Sequence, residues 1–164
     1  MRIVGQRLRD HIRLLTPLFI LLTTIWSLRL MSAALNLPAW CLRIFSVTVA
    51  TSFSVMLAVL LIHVRRFGGY TNVVLSSLLI HVWASGLIIL ASVFSVLTGT
   101  ENVFTRPEFS FPVDDPLHLR HIYGHLTFGI GWGTLSGSAV GCLLLWLLRL
   151  LMPLSDQRPR SIDR

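Results

Sequence analysis

The stretch from 121 to 141, HIYGHLTFGIGWGTLSGSAVG, decides the fold of this chain. Every fourth residue in it is a histidine or a glycine, namely His121, His125, Gly129, Gly133, Gly137 and Gly141. On an α-helix, residues four apart form one ridge that drifts by about 40° per step. In lipid, small residues at this spacing let two helices pack closely, whereas apolar surface alone does not drive association there. We therefore expect a membrane helix that packs against a neighbour through its four glycines.

The composition is that of a membrane protein. The chain has 164 residues, of which 54% are hydrophobic and 13% are charged, whereas soluble domains carry about 25% charged residues. All 14 basic residues are arginines, and the formal net charge is +7. They lie at the edges of long apolar runs, which is a membrane pattern. We expect this chain to lie in the lipid bilayer and not to bind nucleic acid.

Four apolar runs are long enough to cross a bilayer, which takes about 20 residues. The sequence predicts an all-α, polytopic membrane protein, a bundle of four transmembrane helices over about 14–35, 44–64, 73–98 and 121–152. These form one membrane domain, 1–152, with an outer loop at 99–116 and a polar, Arg-rich tail at 153–164. The first run is an alternative candidate for a cleaved signal peptide, but Pro17 and Arg29 inside it argue against cleavage.

The arginines predict the orientation of the helices. Ten of them fall on one side of the predicted bundle, namely Arg2, Arg7, Arg9, Arg13, Arg65, Arg66, Arg149, Arg158, Arg160 and Arg164. Since loops rich in arginine stay on the cytoplasmic side, we expect both termini and the tail to be cytoplasmic.

A candidate metal site lies where the outer loop meets the fourth helix. If that helix begins after an Asp115-Pro116 cap, its first turns present a stripe of histidines beneath an acidic loop. The candidate ligands for Zn²⁺ or Cu²⁺ are His118, His121, His125, Asp115 and Glu101, since imidazole and carboxylate groups suit these ions. The alternative is that the histidines hydrogen-bond headgroups, water or loop carbonyls.

His81 is a second candidate, because it lies inside the predicted third helix. An ionisable group within the membrane suggests function, and an imidazole there suits a haem, a chlorophyll-type pigment or a quinone. The sequence offers no histidine at the same depth on another helix to complete a haem pair. The alternative is a neutral imidazole that hydrogen-bonds a serine or a carbonyl of a neighbouring helix.

No catalytic arrangement is evident. The chain has no GxSxG, no phosphate-binding loop and no CxxC, and no Asp or Glu lies within the four runs, which disfavours a proton-coupled carrier. Serines and threonines are frequent in the second and third helices, where they either pack between helices or line a pore. We expect a non-enzymatic protein.

Three stretches carry a family resemblance: Phe45–Val49, Leu97–Phe104, and Gly124-His125-Leu126 with the glycines after it. Over about 46–141 the chain resembles uncharacterised small bacterial four-span proteins, known as hypothetical integral membrane proteins. The resemblance implies a four-helix bundle in a bacterial inner membrane and brings no catalytic residue.

Three functions follow as hypotheses. The first is a helix-packing subunit or scaffold that joins another membrane protein, or a second copy, through the fourth helix. The second is a metal- or haem-associated membrane protein that uses the histidines. The third is a small oligomeric channel lined by hydroxyl groups.

Overall fold

The computed structural model describes residues 2–3, 6–106 and 118–152, and within these ranges the chain is almost entirely helical. Two short strands, β1 (Arg2–Ile3) and β2 (Gln6–Arg7), pair antiparallel before the first helix. The helices are α1 (Leu8–Ala34), α2 (Ala39–Ile44), α3 (Val47–Val64), α4 (Tyr70–Thr98), α5 (Leu119–Gly124), a π-helical segment (His125–Trp132) and α6 (Gly133–Leu151).

Four helices are long and apolar enough to cross a membrane: Leu8–Ala34, Ala39–Val64, Tyr70–Thr98 and Leu119–Leu151. The predicted all-helical class with four such helices is confirmed. We call Leu119–Leu151, which combines α5, the π-helical segment and α6, the fourth helix. The first helix begins at Leu8, earlier than predicted, because the Asp10 carboxylate accepts a 3.0 Å hydrogen bond from the Arg7 amide and caps it.

The central pair of the bundle is α3 and α4. The first helix packs on one side of this pair, and α6 packs against the same two helices. One apolar core joins α1, α3 and α4. A smaller one, formed by Leu14, Val59, Ile62, Val73 and Leu145, joins all four long helices.

One end of the bundle, which we call the arginine end, carries Arg7, Arg9, Arg13, Arg65, Arg66 and Arg149. Three hydrogen bonds tie the helices together there. The Nε2 atom of the fully buried His11 lies 2.8 Å from Asn72 Oδ1. The Arg149 guanidinium donates to the Gly68 carbonyl at 2.9 Å, and His63 Nε2 donates to the Met152 carbonyl at 3.1 Å.

The opposite end is closed by the first part of the predicted outer loop. Val103, Phe104 and Thr105 are buried. The Asn102 amide donates to the Ala91 carbonyl at 2.7 Å, and the Arg29 guanidinium lies 5.5 Å from the centre of the Phe104 ring. The chain therefore turns back onto the bundle, since it has apolar side chains to bury. The later part of the predicted loop, 107–116, lies outside the described residues.

The glycine face of the fourth helix packs against α4 of the same chain. A Cβ atom built on Gly129, Gly133, Gly137 or Gly141 would lie under 3.0 Å from a side chain of α4. The side chains that they meet are also spaced four apart along α4, in the order Ser85, His81, Ser77 and Val73. Instead of backbone meeting backbone, as the glycine spacing suggested, an imidazole and two hydroxyl groups fill the space that the glycines leave.

The π-helical segment lies at the start of the glycine ridge and contains Gly129. In a pure α-helix, a ridge of residues four apart drifts by about 40° per step, so the ridge would wind away from a straight partner. In a π-helix the i→i+5 turn holds more residues, so four residues fall short of a full turn. The segment His125–Trp132 therefore offsets the drift of the ridge at Gly129, whereas Gly133, Gly137 and Gly141 lie in the regular α-helix α6.

Alanine substitutions at two neighbouring glycines are expected to act in opposite directions. Gly133→Ala places a methyl group against His81 and should lower the free energy of unfolding by about 1–3 kcal/mol. Gly131→Ala is the control, because nothing lies within 4 Å of a Cβ built there, and helix propensity favours alanine by about 1 kcal/mol. Unfolding midpoints of the detergent-solubilised proteins measure both. Equal effects of the two substitutions would contradict this packing.

Candidate functional site

A polar groove lies between α3, α4 and the π-helical segment. Its volume is about 350 Å³, within the range of about 300–1,000 Å³ that is usual for ligand pockets. We call it the histidine groove. Its lining residues are Val47, Thr48, Thr51, Ser52, His81, Ala84, Ser85, Ile88, His125, Phe128, Gly129, Trp132, Gly133 and Ser136.

The groove is built by the same contact that packs the glycines. Gly129 and Gly133 bring the fourth helix close to α4, while the π-helical segment turns His125, Phe128 and Trp132 towards the space beside α3. π-Helical turns are rare and occur frequently at functional sites. The local geometry of the fourth helix thus shapes one wall of the groove.

His81 is held in one tautomer. Its Nδ1 atom lies 2.8 Å from the Ser77 carbonyl oxygen, and a carbonyl only accepts, so Nδ1–H is the donor. In a neutral ring the other nitrogen, Nε2, is then an acceptor. Within the described part of the chain, Nε2 makes no hydrogen bond. One expectation from the sequence is a neutral imidazole that bonds a serine or a carbonyl of a neighbouring helix. The ring does bond a carbonyl, but this carbonyl belongs to α4 itself.

Other polar groups in the groove also have no hydrogen-bond partner among the described residues. The Ser85 side chain is only 4% exposed, and neither its hydroxyl nor that of Thr48 is bonded. The ring nitrogens of His125 are likewise without a hydrogen bond in residues 6–106 and 118–152. These groups are therefore open to hydrogen bonds with a polar occupant of the groove.

The remaining hydroxyl groups are satisfied locally. Thr51, Ser52 and Ser136 each donate to the carbonyl four residues earlier on their own helix, at 2.7, 3.3 and 2.9 Å. Among the described lining residues, Ser85, Thr48, the two imidazoles and the Trp132 indole N–H therefore remain available to hold a ligand.

A larger groove of about 710 Å³ lies between α1 and α4, but it offers little to recognise a ligand. Thr16 and Thr23 donate to carbonyls of their own helix, each at 2.8 Å. Trp83 Nε1 donates to the Thr23 hydroxyl at 3.1 Å. Thr24 and Ser27 also line this groove, but no imidazole does, and the apolar groove is a weaker candidate.

The structure separates the predicted metal ligands. His118 precedes α5 with a left-handed backbone, φ 51°, so it is not part of the helical stripe. The rings of His121 and His125 pack edge to face, 4.8 Å apart. Glu101 is exposed, and Asp115 lies outside the described residues. Within the described ranges no three His, Cys, Asp or Glu side chains are grouped to hold a metal ion, and a site that includes Asp115 stays a prediction.

A haem does not fit at His81 in this packing. The Nε2 edge of the ring faces the fourth helix, because a Cβ on Gly133 would lie 2.8 Å from Nε2 and one on Gly137 would lie 2.9 Å from Cε1. An iron bound to Nε2 would need room for a macrocycle where the helix backbone already lies. A small hydrogen-bonding group is the occupant that this edge accommodates.

Sequence reasoning missed two features. It treated the hydroxyl groups of α3 as packing or pore residues, although Thr48, Thr51 and Ser52 share one helix face, which is a signal that they act together. It also overlooked His11, whose bond to Asn72 crosses from α1 to α4. A histidine at a helix start gives no signal of such a distant partner.

Comparisons with models of known protein families, with curated proteins and with solved structures found no match. The function of the chain must therefore be argued from its geometry.

We expect the groove to be wet when no ligand fills it. The test compares Ser52→Cys with Phe53→Cys in a background without Cys41 and Cys142. The thiol of Ser52→Cys should react with a small water-soluble thiol reagent roughly tenfold faster, because the reactive thiolate forms in water. Ser52 lines the groove, whereas Phe53 is equally part of the exposed surface but lies outside it. The labelling rates of the two variants are measured in membranes. Equal rates, or a slower rate for Ser52→Cys, would show that the groove is dry.

Proposed function

We propose that the chain is a multi-pass membrane protein of a bacterial inner membrane, with both termini on the cytoplasmic side. The four long apolar helices support the insertion. The arginine end supports the orientation, since it collects Arg9 and Arg13 of α1, the two arginines of the turn between α3 and α4, and Arg149 of α6. The resemblance to bacterial four-span proteins supports the choice of membrane.

Reporter fusions test this orientation. A reporter that is active only outside the cytoplasm should be active when inserted after Arg106 and inactive when fused to the C-terminus, because the arginine end is retained inside. A reporter that fluoresces only in the cytoplasm serves as the reciprocal control. The reverse activities at both positions would overturn the orientation.

We further propose that the protein is non-enzymatic and binds a small molecule in the histidine groove. The observation that carries this proposal is the Ser85 hydroxyl, which lines the groove and has no hydrogen-bond partner among the described residues, on a residue that is only 4% exposed. His81 Nε2, the Thr48 hydroxyl and the His125 ring add three more groups of this kind on all three walls. In apolar surroundings such groups need a polar partner.

The groove selects a neutral ligand. None of its lining residues is Asp, Glu or Arg, and a charged ligand at this depth would lack a counter-charge. Thr48, Ser52, Phe128, Trp132 and Ser136 are exposed at the side of the bundle, so the groove opens laterally. A neutral ligand that dissolves in the bilayer therefore has a direct entry.

A helix-packing or scaffold role is a second proposal. The glycine face is already occupied by α4 of the same chain, so a partner protein or a second copy would have to use the other side of the fourth helix. That side is apolar and exposed, with Leu135, Val140 and Trp146 more than half accessible. A mass of one chain per detergent micelle would contradict assembly between copies.

The channel hypothesis has less support. Between the histidine groove and the arginine end, the bundle is filled by the apolar cluster of Leu14, Val59, Ile62, Val73 and Leu145. A continuous polar path through one chain would have to cross this cluster.

A substitution at the rim of the groove should remove the bound molecule. Thr48→Phe places a ring in the groove and should lower the amount of co-purifying neutral ligand to roughly a tenth or less, since steric clash costs about 1–3 kcal/mol. Val49→Phe is the matched control, because Val49 is exposed next to Thr48 but outside the groove. Native mass spectrometry and solvent extraction measure the ligand. The same content in both variants would refute binding in this groove.

A further inference from the structure

We propose that the ligand of the histidine groove belongs to the class of hydroquinones, that is, a flat ring with two hydroxyl groups on an apolar tail. This inference rests on the proposed function, and it names the chemical class that the groove recognises. It concerns binding alone.

The hydrogen-bonding groups of the groove call for a ligand that donates as well as accepts. In a neutral ring His81 Nε2 is an acceptor, because Nδ1–H donates to the Ser77 carbonyl at 2.8 Å. The hydroxyl groups of Ser85 and Thr48 both donate and accept. A phenolic hydroxyl fits this arrangement, since it donates to an imidazole nitrogen and accepts from an alcohol.

Two hydroxyl groups fit better than one, because the available groups lie on different walls. His81 and Ser85 belong to α4, Thr48 belongs to α3, and His125 belongs to the fourth helix. A molecule with a single polar group would leave part of this set without a partner. A ring with hydroxyl groups at opposite ends reaches more than one wall.

The aromatic residues of the groove favour a flat ligand. Phe128 and Trp132 lie one turn apart on the π-helical segment, and both line the groove while remaining largely exposed. Aromatic rings stack on or contact other rings with a gain of about 0.5–1.5 kcal/mol beyond the burial of area. Their exposed position at the rim also leaves the outer surface of the bundle free for an apolar tail.

Isothermal titration of the detergent-solubilised protein tests this class directly. The probe is a short-chain alkyl hydroquinone kept reduced, and the matched control is its dimethyl ether, which keeps the ring and tail but has no hydroxyl donor. We expect the ether to bind at least about tenfold more weakly, because it leaves the acceptors of the groove unpaired. Ser85→Ala should weaken the hydroquinone by about two- to tenfold with little effect on folding, since it removes only one oxygen atom.

The outcomes separate this inference from the proposed function. Equal affinity for the hydroquinone and the ether, or an unchanged affinity in Ser85→Ala, would overturn the hydroquinone class. Stronger binding of an aliphatic alcohol of the same tail length would overturn it as well. The proposal of ligand binding in the groove would still hold if Thr48→Phe lost its co-purified ligand and Val49→Phe kept it. It would be refuted if both variants kept or lost the ligand equally.

Discussion

The close contact between four glycines of the fourth helix and one ridge of α4 is the constraint on which the remaining structure depends. Ser85, His81, Ser77 and Val73 occupy space that a Cβ on Gly129, Gly133, Gly137 or Gly141 would take. Polar side chains can lie between two helices in this way only where one helix has no side chains. The glycines therefore do more than let helices approach, because they admit an imidazole into the interior of the bundle.

The π-helical segment follows from this contact and gives it a second consequence. It contains Gly129, which lies against Ser85, and it leads directly into Gly133, which lies against His81. Phe128 and Trp132 of the same segment line the histidine groove. One segment of the fourth helix thus takes part in both the glycine packing and the candidate site.

Polarity is distributed unevenly along the bundle, and this limits what the protein can do. Hydroxyl and imidazole groups without a partner among the described residues line the groove, whereas the cluster of Val59, Ile62, Val73 and Leu145 is apolar and well buried. The arginines are confined to the ends of the helices. A lateral, uncharged and partly unsatisfied groove suits the recognition of a neutral molecule from the bilayer better than the passage of an ion.

Much of the fold could be predicted from the sequence, because long apolar runs and their arginine borders are local properties. Four helices of sufficient length, and the glycine spacing that lets one of them pack closely, are evident from residue order alone. The candidate site could be predicted only in part. His81 and His125 were identified as chemically interesting, but their common groove with Thr48 and Ser85 was not.

Tertiary structure decided the rest. The glycine spacing shows that a helix can be approached, but not which helix approaches it, since the partner lies some 50 residues away along the chain. The burial of Phe104 and Thr105 depends on space between α1 and α4 that no periodicity reveals. The sequence by itself determined the helices and their borders, and only their packing decided which polar groups meet and which are left without a partner.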